Sequence, residues 1–393
     1  MDGMVQADVS PAHDLPFFDP PARERHIAVG FRLPSGGILA LRGTSALDGS
    51  GRSSVQVNRL NPGDTAWPVQ GSLGVDVPLA AALSDVLRPV LLEADGAGAF
   101  AVAWPLDHGG CAMITDQGIA PFVGWSDSLA TAFAAGEGML ALALEPDPAT
   151  GAADIRVADR AGAGTWRAPV EGGLPCAEWE MVTALAVFSG QVYAAKSNPR
   201  AGFSLWRAPV AGAAAWEPVI DIGAWRYGAS PHVTAMAVIG DRLFLAAAGA
   251  DRMQLSLGDE HPELLAVRAD GSWALISGQQ RFTPKGQLLP ETVFGPGTPT
   301  FAGLSVGGIE PAADGGLQVW LKPLDPQRQN VLVLDWTPQR GTWQLARKLP
   351  VGEMDVVSVV AGRTGPCLVT AASEGGFAAA DGLPHGPLTA MPA

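Results

Sequence analysis

The sequence predicts a single all-β chain, a seven-bladed β-propeller with four short antiparallel strands per blade, with a six-bladed ring as the alternative. Three observations lead there. The 49 Gly and 33 Pro are spread along all 393 residues, which demands many turns and argues against long helices. The run Val182-Thr183-Ala184-Leu185-Ala186-Val187 returns as Val233-Thr234-Ala235-Met236-Ala237-Val238, an offset of 51 residues (233 less 182). Tryptophan marks late positions in successive units, at Trp67, Trp166, Trp216, Trp273 and Trp343, a recurrence close to the roughly 40–50 residues of a propeller blade.

Each unit opens on two apolar runs joined by a short Gly-containing turn, the pattern of strand, tight turn, strand. The pairs are Ile27–Leu33 with Ile38–Leu41, Arg88–Leu92 with Ala99–Trp104, and Ala130–Ala135 with Met139–Leu144. They continue as Val182–Val187 with Gln191–Ala195, Val233–Val238 with Arg242–Ala247, Phe301–Val306 with Leu317–Leu321, and Val356–Val360 with Cys367–Ala371. The seventh unit is Ala- and Gly-rich and has no tryptophan, which keeps six blades, or closure by the N-terminal arm, open. The domain reading is an N-terminal Pro-rich arm over 1–25 and a propeller over 26–393, with an inserted loop at 281–299 that folds over one face of the ring or is a plain excursion. Trp-Arg-Ala-Pro-Val begins at Trp166 and again at Trp206, an offset of 40 that falls on different strands and is read as coincidence.

Charge and cysteine content narrow the function classes. A formal charge of −14 with 25 dispersed basic residues argues against nucleic acid, which needs clustered Lys and Arg. No stretch is long and apolar enough to span a bilayer, and Met1-Asp2-Gly3-Met4 lacks the basic and apolar regions of a secretory signal. The expectation is a cytoplasmic monomer with no membrane partner. Cys111, Cys176 and Cys367 stand far apart without a metal-ligand spacing, which suits a reducing compartment; Glu178 beside Cys176 raises a thiol pKa rather than lowering it.

Asp159-Arg160-Ala161-Gly162-Ala163-Gly164-Thr165-Trp166 and Asp270-Gly271-Ser272-Trp273 resemble degenerate Asp-box and kelch-like repeats of bacterial propellers. The resemblance covers most of 26–393 at the level of architecture. It implies a toroid whose first strands line a central channel, and it implies no particular activity.

Catalytic motifs are weak. Phe31-Arg32-Leu33-Pro34 resembles the Phe-Arg-Ile-Pro motif of sialidases, but the turn that follows makes Arg32 the end of an ordinary first strand, and the chain has only Tyr193 and Tyr227 for a Tyr nucleophile. His108 and His232 are the histidines left once tails and turns are set aside, and neither lies near a Gly-x-Ser-x-Gly elbow. No metal-ligand or phosphate-cradling pattern occurs, so neither a metal nor a cofactor is expected.

One constellation stands out. Trp125-Ser126-Asp127, Trp179-Glu180 and Trp225-Arg226-Tyr227, with His232 close behind, come just before the inner strands of three successive units. Connections at that point open on the channel face, where Asn198 and Arg200 of the fourth unit also fall. Aromatic walls with a few polar groups suit a sugar, peptide or small amphipathic ligand. The bland alternative is that these tryptophans wedge between blades. The expected function is therefore a non-catalytic recognition or scaffold propeller that binds a small molecule or protein. An enzyme acting on a small metabolite, a hydrolase, lyase or cyclase with its site assembled from several blades, is the alternative.

Overall fold

A computed structural model describes residues 24–392 apart from 34–36, 47–52, 61–68, 76–88, 95–98, 107–110, 122–129, 160–164, 213–214, 249–261, 280, 287, 290–303, 313–314, 324–329, 338–342, 351–353, 362–365 and 373–388. Six blades of four antiparallel strands follow one another, and a three-stranded seventh sheet completes the ring. Blade 1 is β1 (Glu24–Arg32), β2 (Ile38–Ala46), β3 (Ser53–Leu60) and β4 (Val69–Val75); blade 2 is β5 (Val90–Ala94), β6 (Phe100–Pro105), β7 (Cys111–Thr115) and β8 (Gly118–Pro121). Blade 3 comprises β9 (Ala130–Gly136), β10 (Met139–Asp147), β11 (Ala152–Asp159) and β12 (Leu174–Pro175), and blade 4 comprises β13 (Met181–Phe188), β14 (Gln191–Ser197), β15 (Ser204–Pro209) and β16 (Glu217–Ile220). Blade 5 holds β17 (Val233–Ile239), β18 (Arg242–Ala247), β19 (Glu263–Arg268) and β20 (Trp273–Ser277), and is followed by a small hairpin, β21 (Arg281–Phe282) with β22 (Leu288–Leu289). Blade 6 is β23 (Leu304–Pro311), β24 (Leu317–Pro323), β25 (Asn330–Trp336) and β26 (Trp343–Pro350); the seventh sheet is β27 (Met354–Ala361), β28 (Pro366–Ala372) and β29 (Thr389–Pro392).

The ring closes because β27 lies against both β23 and β1. All seven expected hairpins are present, and every sheet is built from consecutive strands. Arg32 does end β1. That strand starts at Glu24, inside the expected arm, and residues 1–23 lie outside the described residues.

The core lies between blades. Five apolar clusters join blades 1 and 2, 2 and 3, 3 and 4, 4 and 5, and 5 and 6. Second strands are sandwiched on both faces, so they lose the alternating pattern of a half-exposed strand: Met139–Leu144 and Leu243–Ala247 are buried throughout. The tryptophan markers acquire a shared role. Trp273 and Trp343 begin the outermost strands β20 and β26, Trp216 immediately precedes β16, and Trp166 precedes Arg167, which bridges to Val157 of β11. Each of these four indoles packs on the cluster between its blade and a neighbour.

The 51-residue echo has a geometric cause. In six inner strands one residue is skipped in the pairing with the second strand: Leu92, Thr131, Thr183, Thr234, Gly307 and Val357. These are β-bulges, which add a residue to one strand and change the facing of what precedes it. In blades 3 and 5 the bulge threonine donates its hydroxyl to the opposing strand, Thr131 to the Ala143 carbonyl at 3.4 Å and Thr234 to that of Ala246 at 3.3 Å. Thr183 instead reaches the Val233 carbonyl of the next blade at 3.4 Å. Gly307 is needed because the Trp320 ring lies where its Cβ would be.

Candidate functional site

The face where the inner strands begin carries the assembly. Three segments meet there in blades 4 and 5: the entry to β13 at 176–180, the β14–β15 turn at 198–203, and the β16–β17 connection at 221–232. Asn198 organises the turn. Its side-chain oxygen accepts from the Arg200 and Ala201 amides at 2.9 and 2.7 Å, an Asx turn. Its backbone N–H donates to the Pro231 carbonyl, and the Phe203 N–H to that of Ser230, both at 2.8 Å, which docks the turn on the connection. Contact is close enough that Gly202, at φ +88°, could not carry a Cβ: it would sit 2.6 Å from the Gly223 nitrogen and collide with the Tyr227 carbonyl.

Glu180 ties the entry of β13 to the same turn. One carboxylate oxygen accepts from Lys196 Nζ at 2.8 Å and the Ala177 amide at 3.0 Å, the other from Asn198 Nδ2 at 2.7 Å. Burial pushes its pKa up, but the Lys196, Ala177 and Asn198 donors together outweigh that and hold it below the ordinary carboxylate value. Lys196 also donates to the Pro175 carbonyl at 2.8 Å.

The β16–β17 connection contains a left-handed turn. Ile222, Gly223, Ala224 and Trp225 all have positive φ, at +53°, +58°, +53° and +69°, and Tyr227 follows at +55°. Only glycine takes this conformation freely; each L-residue pays roughly 1–2 kcal/mol, and a β-branched residue such as Ile222 is an outlier there. Neighbours fix it in place. Asp221 accepts from the Ile222 amide at 2.8 Å, the Gly223 amide donates to the Phe203 carbonyl at 2.8 Å, and the Trp225 indole packs into the core between blades 4 and 5. Strain overdetermined in this way is characteristic of functional loops.

Beneath the turn lies a buried ion cluster. Glu263, at the start of β19, is fully buried and takes a two-pronged contact from Arg281 of the hairpin, Nη1 on Oε1 and Nη2 on Oε2 at 2.9 Å. Arg226 Nη1 stands 3.8 Å from the same carboxylate, and Ser230 Oγ donates to it at 3.5 Å. Burial pushes the Arg226 pKa down, Glu263 opposes that, and Arg281 adds to it. Arg281 Nε donates to the Ala224 carbonyl at 2.8 Å. The first part of the 281–299 insertion is thus fastened onto this face; residues 290–299 lie outside the described residues.

Above these buried groups the surface is aromatic. Trp179, Tyr227 and Phe282 are 45%, 62% and 70% exposed, three of the four exposed large apolar side chains among the described residues. The Arg200 guanidinium lies over Trp179, its central carbon 4.4 Å from the ring centre.

The structure therefore brings Trp179, Glu180, Asn198 and Arg200 together with Trp225, Arg226, Tyr227 and His232 on one face. Their postures differ. Trp225 and Arg226 turn inward, His232 is half-buried and its carbonyl accepts from Ala248 at 2.9 Å, and Trp179, Arg200 and Tyr227 face solvent. Trp125, Asp127 and His108 lie outside the described residues. No group of side chains suited to a metal ion occurs among the described residues, and no described helix is long and apolar enough to cross a membrane. Both described thiols are raised by burial, Cys111 to about 12, while Lys196 partly offsets the effect at Cys176.

No family model and no curated protein matches the chain. Solved structures do. Puromycin hydrolase aligns at 12% identity with a TM-score of 0.50, over 90% of this chain and 50% of that one, so this chain spans half its length. A chain of the mitotic checkpoint complex aligns at 11% identity and TM-score 0.47, over 95% and 96% of the two chains. The propeller domain of the Trilobed protease from Pyrococcus furiosus aligns at 8% and 0.44, over 88% and 91%. The likeness is one of fold. It supports the propeller and nothing narrower.

Lys196, Glu263, Arg281 and Phe282 are the participants that sequence reasoning missed. Lys196 and Glu263 stand at the ends of apolar strands, where a charged side chain is ordinarily solvated, so the sequence did not mark them as buried. The partner's identity was not readable, since Arg281 meets Glu263 only once blade 5 and the hairpin have folded.

Proposed function

We propose that the chain is a non-catalytic recognition propeller whose working surface is the inner-strand entry face of blades 4 and 5. One observation carries this: Trp179, Tyr227 and Phe282 are exposed together on loops held rigid by a strained turn and two buried ionic links. Aromatic side chains held in place bury much area on binding at little entropic cost, which is how recognition surfaces gain affinity. The competing enzyme reading needs titratable groups available for proton or acyl transfer. Those gathered here are engaged with one another, Glu180 with Lys196 and Asn198, and Glu263 with Arg281 and Arg226, and they act as fasteners.

The test is affinity capture from source-cell extract with the tagged full chain and a Trp179→Ala/Tyr227→Ala variant, profiling both proteins and metabolites. Wild type should retain species that the variant loses, with circular dichroism unchanged. Identical profiles from the two folded proteins would overturn the proposal.

A further inference from the structure

We infer that this face takes an acidic peptide segment of a partner protein, with Arg200 receiving a carboxylate and the neighbouring aromatics receiving apolar side chains. The inference rests on the recognition reading above and specifies its ligand. Two independent features point to negative charge. Arg200 is exposed and stacked on Trp179, and among the described residues it makes no ion pair. A guanidinium stacked on a ring keeps its N–H edges directed outward in one plane, the geometry that meets a carboxylate two-pronged. Across the segments of this face, Lys196, Arg200, Arg226, Arg281 and Lys285 stand against Glu178, Glu180, Asp221 and Glu263, leaving one positive charge in excess. By contrast, the whole chain has a formal charge of −14. A locally cationic patch on an acidic molecule favours an anionic partner.

A peptide fits better than a compact metabolite. The exposed aromatics come from three segments, the entry to β13, the β16–β17 connection and the β21–β22 hairpin, and so span two blades. An extended ligand can place a carboxylate at Arg200 and apolar side chains along Tyr227 and Phe282 at once. Burying the Trp179 ring against it would also strengthen the Arg200 contact by removing water from the pair.

The experiment selects binders from a displayed library of random dodecapeptides on the immobilised full chain, and repeats the selection with Arg200→Gln and Arg200→Lys. Both substitutions are at an exposed side chain and leave the Asn198 turn, built from backbone amides, intact. Wild type should enrich peptides combining Asp or Glu with aromatic residues. Arg200→Gln should weaken the best of them about tenfold, the loss of one charge-assisted contact, with Arg200→Lys in between. Inorganic phosphate and ATP at equal concentration should fail to displace the peptide. Enrichment of neutral or basic peptides, acidic peptides that bind Arg200→Gln equally well, displacement by phosphate alone, or no enrichment would each overturn the inference. Neutral aromatic peptides lost in Trp179→Ala/Tyr227→Ala would overturn the acidic preference while leaving the recognition surface standing.

Discussion

Glu180 shows how one side chain can set the pH range of a surface. Its carboxylate is held below the ordinary value despite burial, because it accepts from Lys196, Ala177 and Asn198. The folded state therefore binds that proton less readily than the unfolded chain does. The stabilisation is present above the unfolded value of about 4.3 and is lost as pH falls through the lower folded value. Thermal unfolding from about pH 7 to about pH 3 should show Glu180→Gln less stable at neutrality and the gap to wild type closing on the acid side. A gap constant across that range would mean the carboxylate's charge contributes nothing. The pair Trp179-Glu180 could be singled out in the sequence because an aromatic and an acid stood just before an inner strand. The answering Lys196 could not, since a lysine at a strand end is ordinarily solvated.

At the scale of elements, the hairpin 281–289 and the left-handed turn act as one unit, joined by Arg281 through Glu263 and the Ala224 carbonyl. Losing Arg281 removes the two-pronged contact but leaves Glu263 facing Arg226 at 3.8 Å and Ser230 at 3.5 Å, so the cost falls below the roughly 3–5 kcal/mol of breaking an isolated buried pair. Arg281→Ala should lower the melting temperature, and amide exchange should accelerate selectively at 222–230 and 281–289 while the strands of blades 1 to 3 keep their protection. Uniform acceleration over the whole ring would show that the anchor is not local. The strands were legible beforehand because apolar runs split by Gly turns encode hairpins directly. Ile222-Gly223-Ala224-Trp225 carries no such signal: three of its four residues disfavour positive φ, and contacts from Asp221, Phe203 and the hairpin hold it. Likewise the insertion was recognisable by its prolines and length, whereas its docking depended on a partner 18 residues earlier in the chain.

The whole molecule is a closed ring whose described cores lie between blades, so each of blades 2 to 5 is packed against both neighbours. Stability in such arrays is close to a sum of unit and interface terms, and closure supplies one interface beyond those of an open array. Deleting residues 354–393 removes β27 from between β23 and β1. The truncated chain should unfold in broader, multiple steps by calorimetry and aggregate on size exclusion, because it exposes apolar faces at both ends. A single sharp transition at the original temperature would show that closure contributes no stability. The ring was visible in the sequence through tryptophans at the outermost strands. Its seventh sheet was the hardest to assign, having no tryptophan and an Ala- and Gly-rich sequence.

The bulges at Leu92, Thr131, Thr183, Thr234, Gly307 and Val357 have an implication for how such a surface changes over generations. A strand's side chains alternate strictly, so an insertion normally inverts everything beyond it. The bulge in six of the seven inner strands absorbs that inversion, leaving the stretch before it out of phase with the wall behind. Mutation ahead of Thr183 or Thr234 can thus rewrite what the rim presents while the inter-blade packing stays in register. New binding preferences become accessible one loop at a time, without refolding the ring of blades that carries them.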